Sequence, residues 1–306
     1  MAGSRCRGDV FSEWVFPGNT GAEVGERFMT DEYKLKEVFS RGMPTITYVD
    51  RSRLGLEKIL QGAVFKGYTI VAVTGPSKCG KPVLRKRVVP DNVVIKVEGG
   101  HVSTEDDFWE TIRSQLELPT VSSSAATKQT SSLSEAGSSI GPSIPKLTGK
   151  TSKTSQASLV ETRHFNGAQK AALLENLRDS GKVLAIGDFH YIARELRSSI
   201  VRALKGPVFD GLSVIMLSVP YRAFDVLSAE AEMEGRFTHI AIPKWSDDDL
   251  LRIGILGFPA MGLEVNPKIM DALAKESLGS PLLMQSLCAQ VCAYNDVFTT
   301  ETPQHQ

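Results

Sequence analysis

Gly75-Pro76-Ser77-Lys78-Cys79-Gly80-Lys81 constrains the fold more than any other stretch, because it joins a strand-like apolar run to the start of a predicted helix. Two glycines five apart, followed at once by lysine, form the spacing of a phosphate-binding loop. Glycine lets successive backbone N–H groups curl around an anion, and the lysine supplies a positive charge at the helix start. Gly75, Pro76, Ser77, Lys78, Cys79, Gly80, Lys81 and Pro82 are therefore the candidate nucleotide-binding residues. Pro82 stands where the motif asks for Ser or Thr. Proline has neither a hydroxyl for Mg²⁺ nor an N–H for a phosphate oxygen, yet it is tolerated in the first turn of a helix.

The flanking pattern predicts an α/β fold. Tyr68 to Thr74, Val93 to Val97, Val183 to Ile186 and Leu212 to Val219 are short β-branched or apolar runs that read as buried strands. Helical patterns alternate with them: Arg53 to Phe65, a stretch carrying Phe108, Ile112 and Leu116, Ala168 to Arg178 closed by Gly181, and Ile192 to Leu204 stopped by Gly206-Pro207. That alternation predicts a parallel sheet with helices on both faces. Beyond Pro243 only helical patterns remain, beginning at Leu250, Lys268 and Leu282, which predicts a small helical lid over 242–306. Residues 46–241 form the predicted nucleotide-binding domain and 1–45 an N-terminal extension. Val121 to Ser158 is rich in Ser and Thr, without an aromatic residue, and reads as a flexible insertion.

Composition excludes some classes of partner. The 35 Lys and Arg balance 35 Asp and Glu, so no overall field attracts nucleic acid or an anionic membrane, and no basic recognition helix is legible. Four scattered cysteines make neither a disulfide framework nor a zinc site. Cys288 and Cys292, four apart in an apolar helical run, are expected to be buried. The N-terminal ten residues carry no apolar signal core, and the chain reads as cytoplasmic.

The chain resembles bacterial P-loop ATPases of the AAA+/STAND type over about Gly42 to Cys292. The resemblance rests on the segment Thr74 to Lys81, on Val183 to Tyr191, on Gly235-Arg236, on Ile242 to Ser246, and on Gly279-Ser280-Pro281. It implies ATP as ligand, with Mg²⁺, and a nucleotide-dependent switch acting on a protein partner or on a second copy. It also implies roles. Lys81 would neutralise the β- and γ-phosphates, and Asp188 would orient water or hold the metal. Ser218 would act as a strand-end sensor, Arg236 would read the γ-phosphate, Pro281 would pack near the base, and Asp50-Arg51 resembles a box that contacts it. In such ATPases the second acidic motif ends in two carboxylates; here Gly187 takes the first place and Asp188 the second. A shifted alignment gives Asp188 the metal and leaves His190 as the nearest base. The altered Pro82 and Gly187 imply weakened hydrolysis. A pseudo-ATPase scaffold and a small-molecule kinase are the alternatives.

Overall fold

Ile70–Thr74 (β1) is buried at every position, as a strand covered on both faces must be. The computed structural model describes residues 32–40, 42–119, 165–220 and 237–300. Val94–Glu98 (β2), Val183–Gly187 (β3), Val214–Ser218 (β4) and Phe237–Ala241 (β5) join β1 in one five-stranded sheet of order β2-β3-β4-β1-β5. Every pairing is parallel, with Glu98 opposite Gly187 and Thr74 opposite Ser218.

Alternation along the strands divides the core in two. Ile70, Ala72, Ile95, Val97, Leu184, Ile186, Val214 and Met216 face one side. There they pack on Glu105–Gln115 (α4), Gly167–Asp179 (α5) and Arg194–Phe209 (α6). Val71, Val73, Val94, Val183, Ala185, Ile215 and Leu217 face the other, against Leu56–Lys66 (α2) and Lys81–Val88 (α3). The predicted parallel sheet with helices on both faces is the observed one.

Local chemistry sets the helix starts. Thr104 accepts from the Asp107 N–H while Asp107 accepts from the Thr104 N–H, a capping box that opens α4. Asn166 and Gln169 do the same for α5. Gly206-Pro207 does not end α6, which runs to Phe209. Pro207 forfeits the single N–H bond it would have made to the Ala203 carbonyl, but the Gly206 and Pro207 carbonyls still accept from Asp210 and Leu212 and the helix runs on. The edge strand β5 has no counterpart in the sequence reading; only Ile240 in it is fully buried.

Asp247–Ala260 (α7), Pro267–Glu276 (α8) and Pro281–Tyr294 (α9) form the helical unit around Ile253, Phe258, Met284, Cys288 and Cys292. Both cysteines are fully buried. Burial pushes the Cys288 thiol up to about 12 and the Cys292 thiol up to about 11. Residues of the segment assigned to an N-terminal extension complete this core. Val38, at the end of the short helix Leu35–Val38 (α1), and Phe39 are buried in it, and the Phe39 and Phe258 rings lie 5.4 Å apart. Lys34 bridges Thr299 in antiparallel fashion. The chain before the sheet thus packs with the chain after it. Residues 1–31 of the predicted extension and the 121–158 insertion lie outside the described residues.

Candidate functional site

The turn from β1 into α3 is the seven-residue glycine-lysine segment, and its backbone is unusual. Lys78 has φ +63° and Gly80 φ +98°, both left-handed. Glycine adopts that conformation freely; lysine does so at a cost of about 1 kcal/mol, which the surrounding loop must hold in place. Gly80 is the N-cap of α3 and offers no side-chain cap. The helix therefore presents unsatisfied N–H groups at its start, although Pro82, in its first turn, contributes none.

Lys81 is only 6% exposed. Its Nζ donates to the carbonyls of Gly75 at 2.9 Å and Pro76 at 2.7 Å, with Cys79 Sγ at 4.0 Å. Among the described residues no carboxylate pairs with it. A buried ammonium held by neutral carbonyls alone is a costly arrangement that an incoming anion relieves. The neighbouring Cys79 thiol is raised by burial, against the lowering pull of Lys81, so it stays protonated at neutral pH.

A cavity of about 600 Å³ opens over this loop, a size suited to a small organic ligand. Its walls come from the loop, the C-terminal ends of β2 and β3, the segment around Tyr48 to Ser52, and the lid residues Ile253, Pro281 and Leu282. Basic side chains outnumber acidic ones in the lining, seven to four. The cavity therefore sits at the strand ends of an open parallel sheet, the usual place for a ligand in such folds.

The structure gathers most of the sequence-predicted site residues here. Ser77, Lys78, Cys79, Gly80, Lys81, Pro82, Asp188, His190 and Pro281 all line the cavity, as do Asp50 and Arg51. Asp188 has φ +45° and caps the 3-10 turn Phe189–Tyr191, so its exposed side chain follows directly on β3. Gly75 and Pro76 lie just behind the loop, holding Lys81 through their carbonyls. Ser218 is not brought to the cavity. It is fully buried, and strand alternation directs it with Val214 and Met216 toward the α4–α6 side; Leu217 and Val219 line the cavity instead. Among the described residues Ser218 Oγ has no hydrogen-bond partner. Gly235 and Arg236 lie outside the described residues.

Two residues matter more than the sequence suggested. Trp245 joins loop to lid: its Nε1 donates to the Cys79 carbonyl at 3.0 Å, and the Arg51 guanidinium stacks 4.7 Å above its ring. Glu98, at the end of β2, lines the cavity beside Gly187. The one signal for Glu98 is an acidic residue ending a strand just before Gly99-Gly100.

Mg²⁺ bound with a nucleotide typically takes one or two protein carboxylates and completes its shell with phosphate and water. Pro82 and Gly187 supply no donor, whereas Asp188 and Glu98 put two hard carboxylates on the same wall. Among the described residues no group of three or more acidic, His or Cys side chains forms a metal cage. The donor set fits a cation that arrives with phosphates.

No protein-family model matches the chain, and no curated protein matches it. Solved structures do. The ORC2 protein of Aeropyrum pernix, in ADPNP–ADP complexes, aligns at TM-score 0.53 and 14% identity over 87% of this chain and 68% of its own. The Walker-type ATPase of Pyrococcus abyssi aligns at 0.52 and 12%, over 85% and 73%. CDC6P of Pyrobaculum aerophilum aligns at 0.51 and 14%, over 85% and 66%. The chain spans about two thirds to three quarters of the length of these proteins. Identity this low speaks to fold alone, and on that ground the chain has the α/β fold of P-loop ATPases, with helices appended after the sheet.

Proposed function

We propose that the protein binds ATP in the cleft between sheet and helical lid and works as a nucleotide-dependent conformational switch. The observation that carries this reading is Lys81: a buried ammonium, unpaired by any carboxylate of the described residues, at the base of a cavity with more positive than negative walls. In this reading phosphates accept from the loop N–H groups and from Lys81 Nζ, which gives up the Gly75 and Pro76 carbonyls to reach them. Pro281 and Ile253 supply apolar surface from the lid. A ligand that touches both halves binds the closed arrangement better than the open one, and that differential affinity is what drives a switch.

Hydrolysis is weakened in the same reading. Mg²⁺, when present, supplies charge neutralisation between phosphates. Pro82 and Gly187 contribute nothing to holding it, while Asp188 is left to orient water. These two positions also favour the second reading, a scaffold that binds nucleotide without turning it over. The cytoplasmic setting and a protein partner or self-association belong to the proposal; among the described residues no helix is long and apolar enough to cross a membrane.

Titration of ATP and ADP, with Mg²⁺ and with chelator, tests the binding claim. Saturable binding that Lys81→Ala abolishes is expected. Wild-type protein that ignores both nucleotides at millimolar concentration rejects it. Mg²⁺-dependent phosphate release then separates a slow ATPase from a scaffold.

A further inference from the structure

Gly187 has no side chain at the place where an acidic residue would complete the end of β3, yet the space is filled. A Cβ built on Gly187 would fall inside the van der Waals envelope of Glu98 Oε2, with Glu98 Cδ 3.0 Å away and Oε1 3.2 Å. The carboxyl carbon of an aspartate would begin only about 1.5 Å beyond such a Cβ. The Glu98 carboxylate therefore occupies nearly the volume that an aspartate carboxylate on β3 would have taken. Strand register explains how. Glu98 lies opposite Gly187 in the parallel β2–β3 pair, and both belong to the strand positions that face α3 and the cavity. The backbones also close up there: a Cβ on Gly99 would meet the Asp188 carbonyl carbon at 2.9 Å, so only glycine allows the approach.

Charge accounting is in keeping with that placement. Asp91 pairs with Arg85 and Lys96, Glu57 with Arg87, and Asp249 with Arg51 and Arg53. Among the described residues no Lys, Arg or His pairs with Glu98. Glu98 is exposed and, like Asp50 and Asp188 in the same lining, has no cation partner among the described residues; beside Asp188 and facing the cavity, it is a hard-oxygen donor available to a cation that arrives with phosphates.

We propose that Glu98 stands in, from the neighbouring strand, for the acid absent at position 187 and holds the divalent cation that accompanies the nucleotide. The inference rests on the nucleotide-binding reading above. It makes Gly187 the cause of the arrangement, since any side chain there would displace Glu98.

Nucleotide dissociation constants measured in chelator and in Mg²⁺ test it, alongside the electron paramagnetic resonance of Mn²⁺ added with nucleotide. Wild-type protein is expected to bind more tightly with Mg²⁺. Glu98→Gln, nearly isosteric, removes a negative charge that faces the phosphates, so it should bind at least as tightly as wild type in chelator yet lose about tenfold of the Mg²⁺-dependent gain, the equivalent of one charge-assisted contact. Gly187→Ala keeps the carboxylate but fills its space, so it should lose the same increment. Both variants should weaken the bound-Mn²⁺ signal. A Glu98→Gln protein with the full wild-type gain overturns the assignment, and so does a wild type that binds nucleotide equally well in Mg²⁺ and chelator. Wild type that binds no nucleotide in either condition removes the parent reading together with this one, a result distinct from the other two.

Discussion

The indole Nε1 of Trp245 donates to the carbonyl oxygen of Cys79 at 3.0 Å, and through this bond the start of the C-terminal helical unit fixes one peptide of the glycine-lysine loop. A peptide whose carbonyl is held by the indole has its following N–H, that of Gly80, turned the opposite way. The bond thus orients a donor without touching the ligand.

Trp245→Phe keeps the ring under Arg51 but removes the donor. Nucleotide affinity is expected to fall about fivefold, the worth of roughly 1 kcal/mol for one hydrogen bond. Calorimetry on both proteins provides the comparison. Intrinsic fluorescence of the wild type should also change on nucleotide binding through Trp245, and the loss of that change in Trp245→Phe assigns it; Trp109 is fully buried in the other core. Equal affinities in the two proteins would show that the loop holds its shape unaided.

Asp249 ties the same region together from beneath. Its carboxylate is almost fully buried, lies 2.7 Å from Arg53 Nη2 and 3.6 Å from Arg51 Nε, and sits in the first turn of α7, where negative charge is favoured. Asp249→Ala leaves the largely buried Arg51 without its anion. A loss of about 2 kcal/mol is expected, less than for a fully buried pair because Arg53 is 59% exposed. Urea unfolding measures it; a midpoint unchanged from wild type would mean that water already serves both arginines.

The sheet was legible because its strands are buried on both faces and so carry unbroken apolar runs, bounded by glycine and by capping residues. β1 and β3 are the clearest cases. β5 was not legible: an edge strand with Thr238 and His239 in its middle has neither an apolar run nor a turn on each side. The turn carrying Lys81 could be placed from spacing alone, since a strand–loop–helix junction is set by local sequence. Ser218 could not, because the face a strand residue takes depends on register, and a one-residue difference sends it to the other core. Glu98 was hidden for a related reason. Its importance arises from a neighbour 89 positions away that lacks a side chain, a relationship only the β2–β3 pairing creates. The role of Val38 and Phe39 in the lid core is likewise a long-range pairing that no local pattern announces.

Ser218→Ala offers a direct check on register. A buried hydroxyl without a partner costs about 1–3 kcal/mol, so removing it should leave stability unchanged or raise it by about 1 kcal/mol. Nucleotide affinity and any phosphate release should match wild type, since the side chain faces the α4–α6 core. A marked drop in turnover at unaltered stability would instead restore the sensor role that its strand-end position suggested.

Asp91 gives the stability of the fold a pH dependence of known sign. Although partial burial by itself pushes its carboxyl up, hydrogen bonds from Lys96 and Arg85 and their charges outweigh that and hold it well below the usual carboxylate range. Lys96 Nζ lies 2.7 Å away, and both basic partners line the cavity. A carboxyl whose pKa is lower folded than unfolded stabilises the fold above its unfolded pKa of about 4 and loses that contribution as pH falls toward the folded value. At pH 7 Asp91→Asn should cost about 1 kcal/mol, a modest figure because the side chain is 48% exposed and water screens the network. The difference between the two proteins should shrink progressively below about pH 4 as the wild-type carboxyl takes up its proton. Urea midpoints measured across that range decide the matter. A gap that stays constant down to the lowest accessible pH would show that the asparagine perturbs packing, and that the charge of Asp91 contributes nothing to holding Lys96 and Arg85 in place.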